Sequence, residues 1–160
     1  MSLRFDVRAS NDAYLGLSTG NSTIFPGYWI ILGGWNNINS CLRLGFTSRT
    51  CLDLHSEPSL KATEYVKFWV LWDSGNIRVG KGEELGNGQI LQYVFSNDYV
   101  ISNVLATGYA DWIFYPWKNC RVLHRLEVDF LYQNKGFVFL INKKHSDETG
   151  FYLWDMKLFQ

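Results

Sequence analysis

The sequence predicts an all-β protein, an antiparallel β-sandwich of jelly-roll-like type with little or no helix. Turn signals built from Gly, Pro, Asn and Asp recur about every eight to twelve residues, as they do in sandwiches. Aromatic residues make up 17% of the chain, and aromatic and β-branched side chains favour pleated sheet. No segment keeps a helical period over three turns. Because 160 residues suffice for one core, we expect a single domain spanning residues 1–160.

Period-two alternation predicts the first two strands. Phe5, Val7 and Ala9 alternate with charged residues, which is the pattern of a strand with one buried face. Asn11-Asp12 then predicts a hairpin-like break before a second strand over residues 14–17.

The stretch 28–43, YWIILGGWNNINSCLR, predicts a strand, a corner and a returning strand. Its first five residues are large and apolar, as in a buried strand, and the run stops at Gly33-Gly34. Trp35 lies on the turn, and Asn36 and Asn37 tolerate left-handed turn geometry.

A second hairpin is predicted further along the chain. The polar segment 53–63 predicts a connecting loop, after which the apolar run 65–72 turns at Asp73-Ser74-Gly75-Asn76 into residues 77–80. The glycine-rich segment 82–88 predicts a charged loop. The remaining predicted strands are 40–47, 90–95, 100–106, 111–115, 128–132, 137–141 and 151–159.

Charge and hydropathy exclude two classes of protein. Fifteen acidic and fifteen basic residues give zero formal net charge, so we expect no nucleic-acid partner. No apolar run approaches the roughly 18 residues of a membrane span, so we expect no transmembrane segment. The N-terminus MSLRFDVRAS lacks the apolar core of a signal peptide, so the chain is expected to be cytoplasmic, or secreted with its leader removed.

The three cysteines leave two interpretations. Cys41, Cys51 and Cys120 include no CxxC pair and no zinc spacing. Cys41 and Cys51 could pair across neighbouring strands, or all three could be buried thiols. The acidic residues show no EF-hand spacing, so we expect no metal.

Catalytic signatures are missing from the sequence. It contains no GxSxG and no HExxH, and the three histidines are isolated from one another. The glycine groups at 33–34 and 80–82 precede turns and strands rather than a helix that could hold a charged cofactor. We therefore expect neither catalytic activity nor a cofactor.

Aromatic residues beside polar corners indicate a ligand site. Trp35, Trp72, Trp112 and Trp117 lie at or next to turns. An aromatic face packs on the C–H face of a sugar, and carboxylates, amides and guanidinium groups bind its hydroxyls. The alternative is that these tryptophans form ordinary core and that the polar residues only make turns. The predicted ligand-binding residues are Asp12, Trp35, Asn36, Asn37, Arg43, Trp72, Asp73, Asp111 and Trp112.

Four blocks of the sequence lie at residues 5–18, 28–43, 68–82 and 104–112, and they include FDVRASNDAYLGLS, GGWNN with SCLR, and FWVLWDSGNIRVGKG. These blocks resemble the farnesoic acid O-methyltransferase-like domain family. The resemblance covers about residues 4–115. The matching positions are Asp12-Ala13, Gly33-Gly34-Trp35, Asn37, Ser40, Arg43, Phe68-Trp69, Trp72, Gly75, Val79-Gly80, Gly82, Gly108 and Trp112.

The resemblance implies a recognition module of extracellular or defence-associated type, although the family name implies a methyltransferase. At residues 108–112 the chain has GYADW where the family has a longer, glycine-richer turn.

Together these observations predict a lectin-like carbohydrate-binding domain without catalytic activity, whose partner is a glycan or glycoprotein. One alternative is a β module that self-associates or binds a protein partner. Its residues 120–160 would complete the sheet or form an interface, including that of a homo-oligomer. Another is a small-molecule O-methyltransferase, as the family name suggests.

Overall fold

The computed structural model describes residues 1–18, 27–73, 75–95, 101, 103–115, 127–128, 138–146 and 152–159. The described residues form β1 (Ser2–Arg8), β2 (Ala13–Ser18), β3 (Gly27–Gly33), α1 (Gly34–Asn37), β4 (Asn39–Leu44), β5 (Asp53–His55), β6 (Val66–Asp73), β7 (Asn76–Lys81), β8 (Gln89–Val94), β9 (Asn103–Gly108), β10 (Asp111–Tyr115), β11 (Glu127–Val128), β12 (Val138–Ser146) and β13 (Tyr152–Phe159). The single helical element, α1, is one turn long.

The strands form two antiparallel sheets. Sheet A has six strands in the order β11-β10-β1-β6-β7-β8, and sheet B has seven in the order β13-β12-β9-β2-β3-β4-β5. Strands β12 and β13 extend sheet B beyond β9. The predicted all-β sandwich is confirmed.

The core lies between the sheets because apolar side chains alternate along the central strands. Phe5 of β1 stacks on Phe68 of β6, with ring centroids 5.9 Å apart. Burial of each such side chain contributes about 1.5–3 kcal/mol. Facing them from sheet B are the buried side chains of Ala13, Leu15, Leu17, Tyr28, Ile30, Leu32, Leu42, Val104 and Ala106.

Each sheet also carries, on its outer face, a tryptophan opposite a glycine. Trp29 pairs with Gly16 in sheet B, and Trp69 pairs with Gly80 in sheet A. Trp69 is fully buried there, and its indole Nε1 donates to the Asn87 carbonyl oxygen at 2.8 Å. A Cβ atom at Gly80 would overlap the Trp69 ring, and one at Gly16 would lie 3.1 Å from the Trp29 ring.

Several predicted boundaries change. Asn11-Asp12 makes no hairpin, because β1 lies in sheet A and β2 in sheet B; the segment is a corner between sheets. The predicted loop 53–63 begins with strand β5, which pairs with β4. The predicted hairpin at 73–76 is confirmed by the pairing of β6 with β7.

Cys41 and Cys51 form a disulfide with 5.7 Å between their Cα atoms. The first interpretation of the cysteines is therefore correct for this pair, and the buried-thiol interpretation is wrong for it. Cys120, Trp117 and most of the predicted strand 128–132 lie outside the described residues. In the described part of the chain, no helix has the length and apolar character needed to cross a membrane.

Candidate binding site at the rim of the sandwich

Among the described residues, five loops leave the sandwich at the same end, which we call the rim. Arg8, the last residue of β1, lies opposite Asp111, the first of β10. In sheet B, Ala13 lies opposite both Leu32 and Gly108, so β2 starts where β3 and β9 end. The rim consists of loops 9–12, 34–38, 56–65, 82–88 and 109–110. Loops held by a rigid scaffold commonly carry binding residues.

Hydrogen bonds join neighbouring rim loops. The Asp12 backbone N–H donates to the Gly33 carbonyl oxygen at 3.0 Å, and Ala9 N–H donates to the Lys61 carbonyl oxygen at 3.1 Å. These bonds connect loop 9–12 to the loops on both sides of it. These three loops of the rim are therefore connected to one another rather than being separate hairpin tips.

Backbone strain is concentrated on the rim. Among the described residues, the non-glycine residues with positive φ are Asp12 (54°), Trp35 (53°), Asn36 (60°) and Asn37 (62°). The left-handed conformation costs roughly 1–2 kcal/mol per residue outside glycine, somewhat less for Asn and Asp. Strain of this kind clusters at functional sites, and all four residues were predicted ligand contacts.

Asn37 and Ser40 hold the strained turn in place. The Asn37 side-chain oxygen Oδ1 accepts from the backbone N–H groups of Ser59 and Leu60, each at 3.0 Å. Ser40 Oγ accepts from Gly33 N–H at 3.1 Å and lies 2.6 Å from Ser59 Oγ. The structure thus uses the Asn37 side chain to support the turn.

Trp35 and Asn36 point away from this support and are exposed. Trp35 keeps 51% of its surface accessible, whereas Trp29, Trp69, Trp72 and Trp112 are all buried. A large ring held in solvent by a strained turn is available to a ligand.

Asp12 lies between two glycines, each followed by an exposed aromatic residue. A Cβ atom built on Gly34 would be 3.8 Å from Asp12 Oδ1, and one built on Gly108 would overlap the Asp12 carbonyl oxygen. Trp35 follows the first glycine, and Tyr109, which is 83% exposed, follows the second. Asp12 therefore has its carboxylate beside the segment of Trp35 and its backbone carbonyl beside the segment of Tyr109, and this arrangement is the central feature of the rim.

Sequence reasoning missed Tyr109. The available signal was its position in the corner between two predicted strands, two residues before the predicted contact Asp111. Its closeness to Asp12 became visible only when the register of β2 with β9 placed Gly108 opposite Ala13, where Gly108 contacts the backbone of Asp12.

Asp111 is also on the rim, but its charge is already paired. Arg8 donates to Asp111 Oδ2 from Nε at 2.8 Å and from Nη2 at 2.6 Å. The Arg8 guanidinium also lies over the Tyr65 ring, 4.8 Å from its centroid. This ion pair fixes the start of β10 beside loop 109–110.

Arg43 lies off the rim, on the outer face of sheet B. Its guanidinium lies over the Phe46 ring, 5.7 Å from the centroid, and its Nη1 donates to the Ser48 carbonyl oxygen at 2.9 Å. Phe46 also contacts Tyr14 and Trp29, with centroid distances of 5.9 and 4.9 Å.

Tyr14 connects this cluster with the rim. Its hydroxyl lies 3.4 Å from Asp12 Oδ1, to which it donates. Burial raises the pKa of the Tyr14 phenol above its ordinary value of 10.0, the Asp12 charge raises it further, and the Arg43 charge acts in the opposite direction. The phenol therefore lies within the electrostatic reach of both Asp12 and Arg43.

Besides Arg43, three predicted contacts are not brought to the rim. Trp72 and Trp112 are 6% and 4% exposed and pack in the core, where Trp112 stacks on Phe114. Asp73 lies at the far end of β6, about 23 Å from the rim at the usual strand rise, with Arg78 Nη2 3.9 Å away.

The glycine corners do not fit a nucleotide-like cofactor. Gly33 and Gly80 both lie in antiparallel pairs, and α1, the one helix that follows such a corner in the described chain, is a single left-handed turn. Phosphate-binding glycine loops instead open a right-handed helix between parallel strands. Across the described ranges, no group of three or more His, Cys, Asp or Glu side chains is placed to hold a metal ion.

A family model described as farnesoic acid O-methyltransferase matches residues 1–114. The chain belongs to this family. The region that matches the farnesoic acid O-methyltransferase family contains all five rim loops. It also contains the Trp29–Gly16 and Trp69–Gly80 pairs and the Cys41–Cys51 disulfide. No curated protein and no solved structure matches the chain.

Proposed function

We propose that this domain is a lectin-like carbohydrate-binding module without catalytic activity, whose ligand is a glycan or glycoprotein bound at the rim. The observation that carries the proposal is the position of Asp12 between the segments bearing Trp35 and Tyr109. Trp35 and Tyr109 are exposed, and the residue between their two segments carries a carboxylate whose Oδ1 lies beside Gly34.

Each part of this arrangement suits a sugar ring. An aromatic face provides contact area for the C–H face of a pyranose. A carboxylate accepts charge-assisted hydrogen bonds from hydroxyl groups, which are about twice as strong as neutral ones. Asn36, exposed on the same turn, supplies an amide that can both donate and accept.

The strained turn supports binding through preorganisation. Asn37 and Ser40 fix loop 34–38 before any ligand arrives, so less conformational entropy is lost on binding. The conformational free energy of the left-handed residues is offset when the sandwich folds, so it does not weaken ligand binding.

A glycan array with three matched variants tests the proposal. Trp35→Asn removes the ring and keeps a residue that tolerates the left-handed conformation, Asp12→Asn removes the charge in the same way, and Tyr109→Ala removes the second ring. Each substitution is expected to weaken binding at least about tenfold, which corresponds to a loss of roughly 1.4 kcal/mol of binding free energy.

Val94→Ala is the control, because Val94 is an exposed apolar residue on β8 outside the rim. Its binding should equal that of the wild type, and circular dichroism should show all four variants folded. The proposal would be overturned if the wild type bound no glycan on a broad array. It would also be overturned if all three rim variants bound as tightly as the wild type.

The family description names a methyltransferase activity, which can be tested separately. Titration calorimetry with S-adenosylmethionine should give no heat of binding, since the glycine corners lack the geometry that holds such a cofactor. Saturable binding would favour the enzyme alternative.

Self-association can be tested in the same preparation. Strand β8 ends sheet A, but the Gln92 backbone N–H on it already donates to Asp53 Oδ2 at 2.7 Å. A covered edge disfavours strand pairing with a second chain at that point. Light scattering is expected to give the monomer mass, and a concentration-dependent increase would favour the partner-binding alternative.

A further inference from the structure

The outer face of sheet B carries an arginine whose partners are neutral. Arg43 Nη1 donates to the Ser48 carbonyl oxygen, and the guanidinium lies over the Phe46 ring. Within the described chain no carboxylate lies within ion-pair distance of it, whereas Arg8 pairs with Asp111 and Arg78 with Asp73. The charge of Arg43 is therefore not neutralised by the described residues.

The orientation of the guanidinium leaves one donor facing outward. Nε is buried and Nη1 is used by Ser48, while Nη2 neither donates to a described group nor belongs to the buried polar atoms. Phe46 packs against Trp29 and Tyr14 and supports the guanidinium from one side. The donor is thus held in a fixed direction at the surface.

Tyr14 supplies a second donor beside it. Its hydroxyl donates to Asp12 over 3.4 Å, a long bond that a better acceptor could replace at small cost. The Tyr14 hydroxyl reaches Asp12 on the rim, and the Tyr14 ring and the Arg43 guanidinium both contact the Phe46 ring, so these side chains form one cluster that extends from the rim to the face of sheet B.

We propose that Arg43 and Tyr14 bind an anionic substituent, a carboxylate or a sulfate ester, of an oligosaccharide whose neutral ring occupies the rim between Trp35 and Tyr109. This inference rests on the proposed function and adds the class of glycan, an acidic one. Asp12 is negatively charged and Arg43 is positively charged, so the oligosaccharide can bind across them in only one direction. A hydroxylated ring is attracted to Asp12, and an anion is repelled from Asp12 and attracted to Arg43.

The test compares three oligosaccharides of equal length and linkage: one neutral, one carboxylated and one sulfated. At low ionic strength the wild type is expected to bind at least one of the acidic ligands about tenfold more tightly than the neutral one. That preference should shrink as salt is added, because screening weakens exposed charge pairs. Comparison of the carboxylated with the sulfated ligand shows which of the two anionic groups the site prefers.

Two variants assign the preference to this cluster. Arg43→Gln should abolish the preference and leave the affinity for the neutral ligand unchanged, and Tyr14→Phe should reduce it a few-fold. Arg49→Gln is the matched control, since Arg49 is an exposed arginine in the loop that follows β4 and carries Phe46 and Ser48. Thermal melts of each variant establish that it is folded, so that a loss of preference reflects the missing donor.

The outcomes separate the two proposals. Equal affinity for neutral and acidic ligands overturns this inference and leaves the carbohydrate-binding proposal standing. An equal loss in Arg49→Gln also overturns it, because the preference would then follow net charge. Absence of binding to any of the three ligands and to a broad array overturns both.

Discussion

The side-chain amide of Asn37 holds the backbone of Leu60 with both of its polar atoms. Nδ2 donates to the Leu60 carbonyl oxygen at 2.8 Å, and Oδ1 accepts from the Leu60 N–H at 3.0 Å. Of the side chains that tolerate left-handed backbone, only an amide supplies a donor and an acceptor together. This contact joins two rim loops and sets the base of the turn that exposes Trp35.

Replacing Asn37 by Asp should destabilise the fold. The carboxylate keeps the acceptor but loses the donor to Leu60, which leaves that carbonyl oxygen without its partner at a cost of about 1–3 kcal/mol. Asn36→Asp is the control because Asn36 has the same backbone conformation and an exposed side chain. Urea unfolding should show a lower midpoint for the first variant alone, and equal midpoints would contradict the bridging role.

Gly80→Ala should be more destabilising than Gly16→Ala. At Gly80 the added methyl would lie 2.6 Å from the Trp69 Nε1 atom and closer still to two ring carbons, whereas at Gly16 it would lie 3.1 Å from the Trp29 ring. Overpacking of this kind costs about 1–3 kcal/mol, and we expect Gly80→Ala at the upper limit. Thermal melts measure both, and the reverse order would show that the Trp69 ring moves freely.

Because its backbone is left-handed, the exposed residue Asn36 should tolerate replacement by glycine but not by valine. Asn36→Gly should leave stability within about 0.5 kcal/mol of wild type, because glycine adopts positive φ without strain but loses more entropy. Asn36→Val should cost about 1–2 kcal/mol, because the branched Cβ clashes in this conformation. If chemical denaturation showed equal stability for the two variants, the turn would have to relax in solution.

Removal of the Cys41–Cys51 disulfide should release the loop that carries Phe46 and Ser48. The bridge closes a short loop, and bridges of this size contribute about 2–4 kcal/mol. We expect Cys41→Ala/Cys51→Ala to unfold at lower urea concentration and to be cleaved by trypsin after the exposed Arg49. The wild type without reductant is the control, and resistance of both proteins to trypsin would show that packing alone holds the loop.

Tyr14 should make stability fall at alkaline pH. Its pKa in the folded protein is raised by burial and by Asp12, so the folded state holds this proton more tightly than the unfolded state. The free energy of unfolding should therefore fall as pH rises from the unfolded value of 10.0 through the folded one.

Urea unfolding at about pH 8 and about pH 11 should show a larger loss for the wild type than for Tyr14→Phe. Tyr109→Phe, which also removes one phenol, controls for the number of tyrosines. If the wild type and Tyr14→Phe lost equal amounts of stability between the two pH values, the alkaline loss would not come from Tyr14.

Local sequence features predicted much of the fold. Alternation around Phe5 and Val7, the apolar run 28–32 and the turn at 73–76 depend on neighbouring residues, and each formed the predicted element. The left-handed asparagines at 36 and 37 were also predicted, since the short Asn side chain tolerates that conformation. Strand β5 was missed because its pairing depends on β4 and not on its own polar composition.

What only the tertiary structure decided was which of these residues meet. Sequence alone placed Trp35, Trp72 and Trp112 at similar corners, yet the pairing of distant strands buried two of them and left one exposed. The juxtaposition of Asp12 with Gly34 and Gly108, and the absence of a carboxylate beside Arg43 within the described residues, likewise follow from strand register. Periodicity and turn chemistry act over a few residues, whereas burial and charge pairing depend on contacts between segments far apart in the chain.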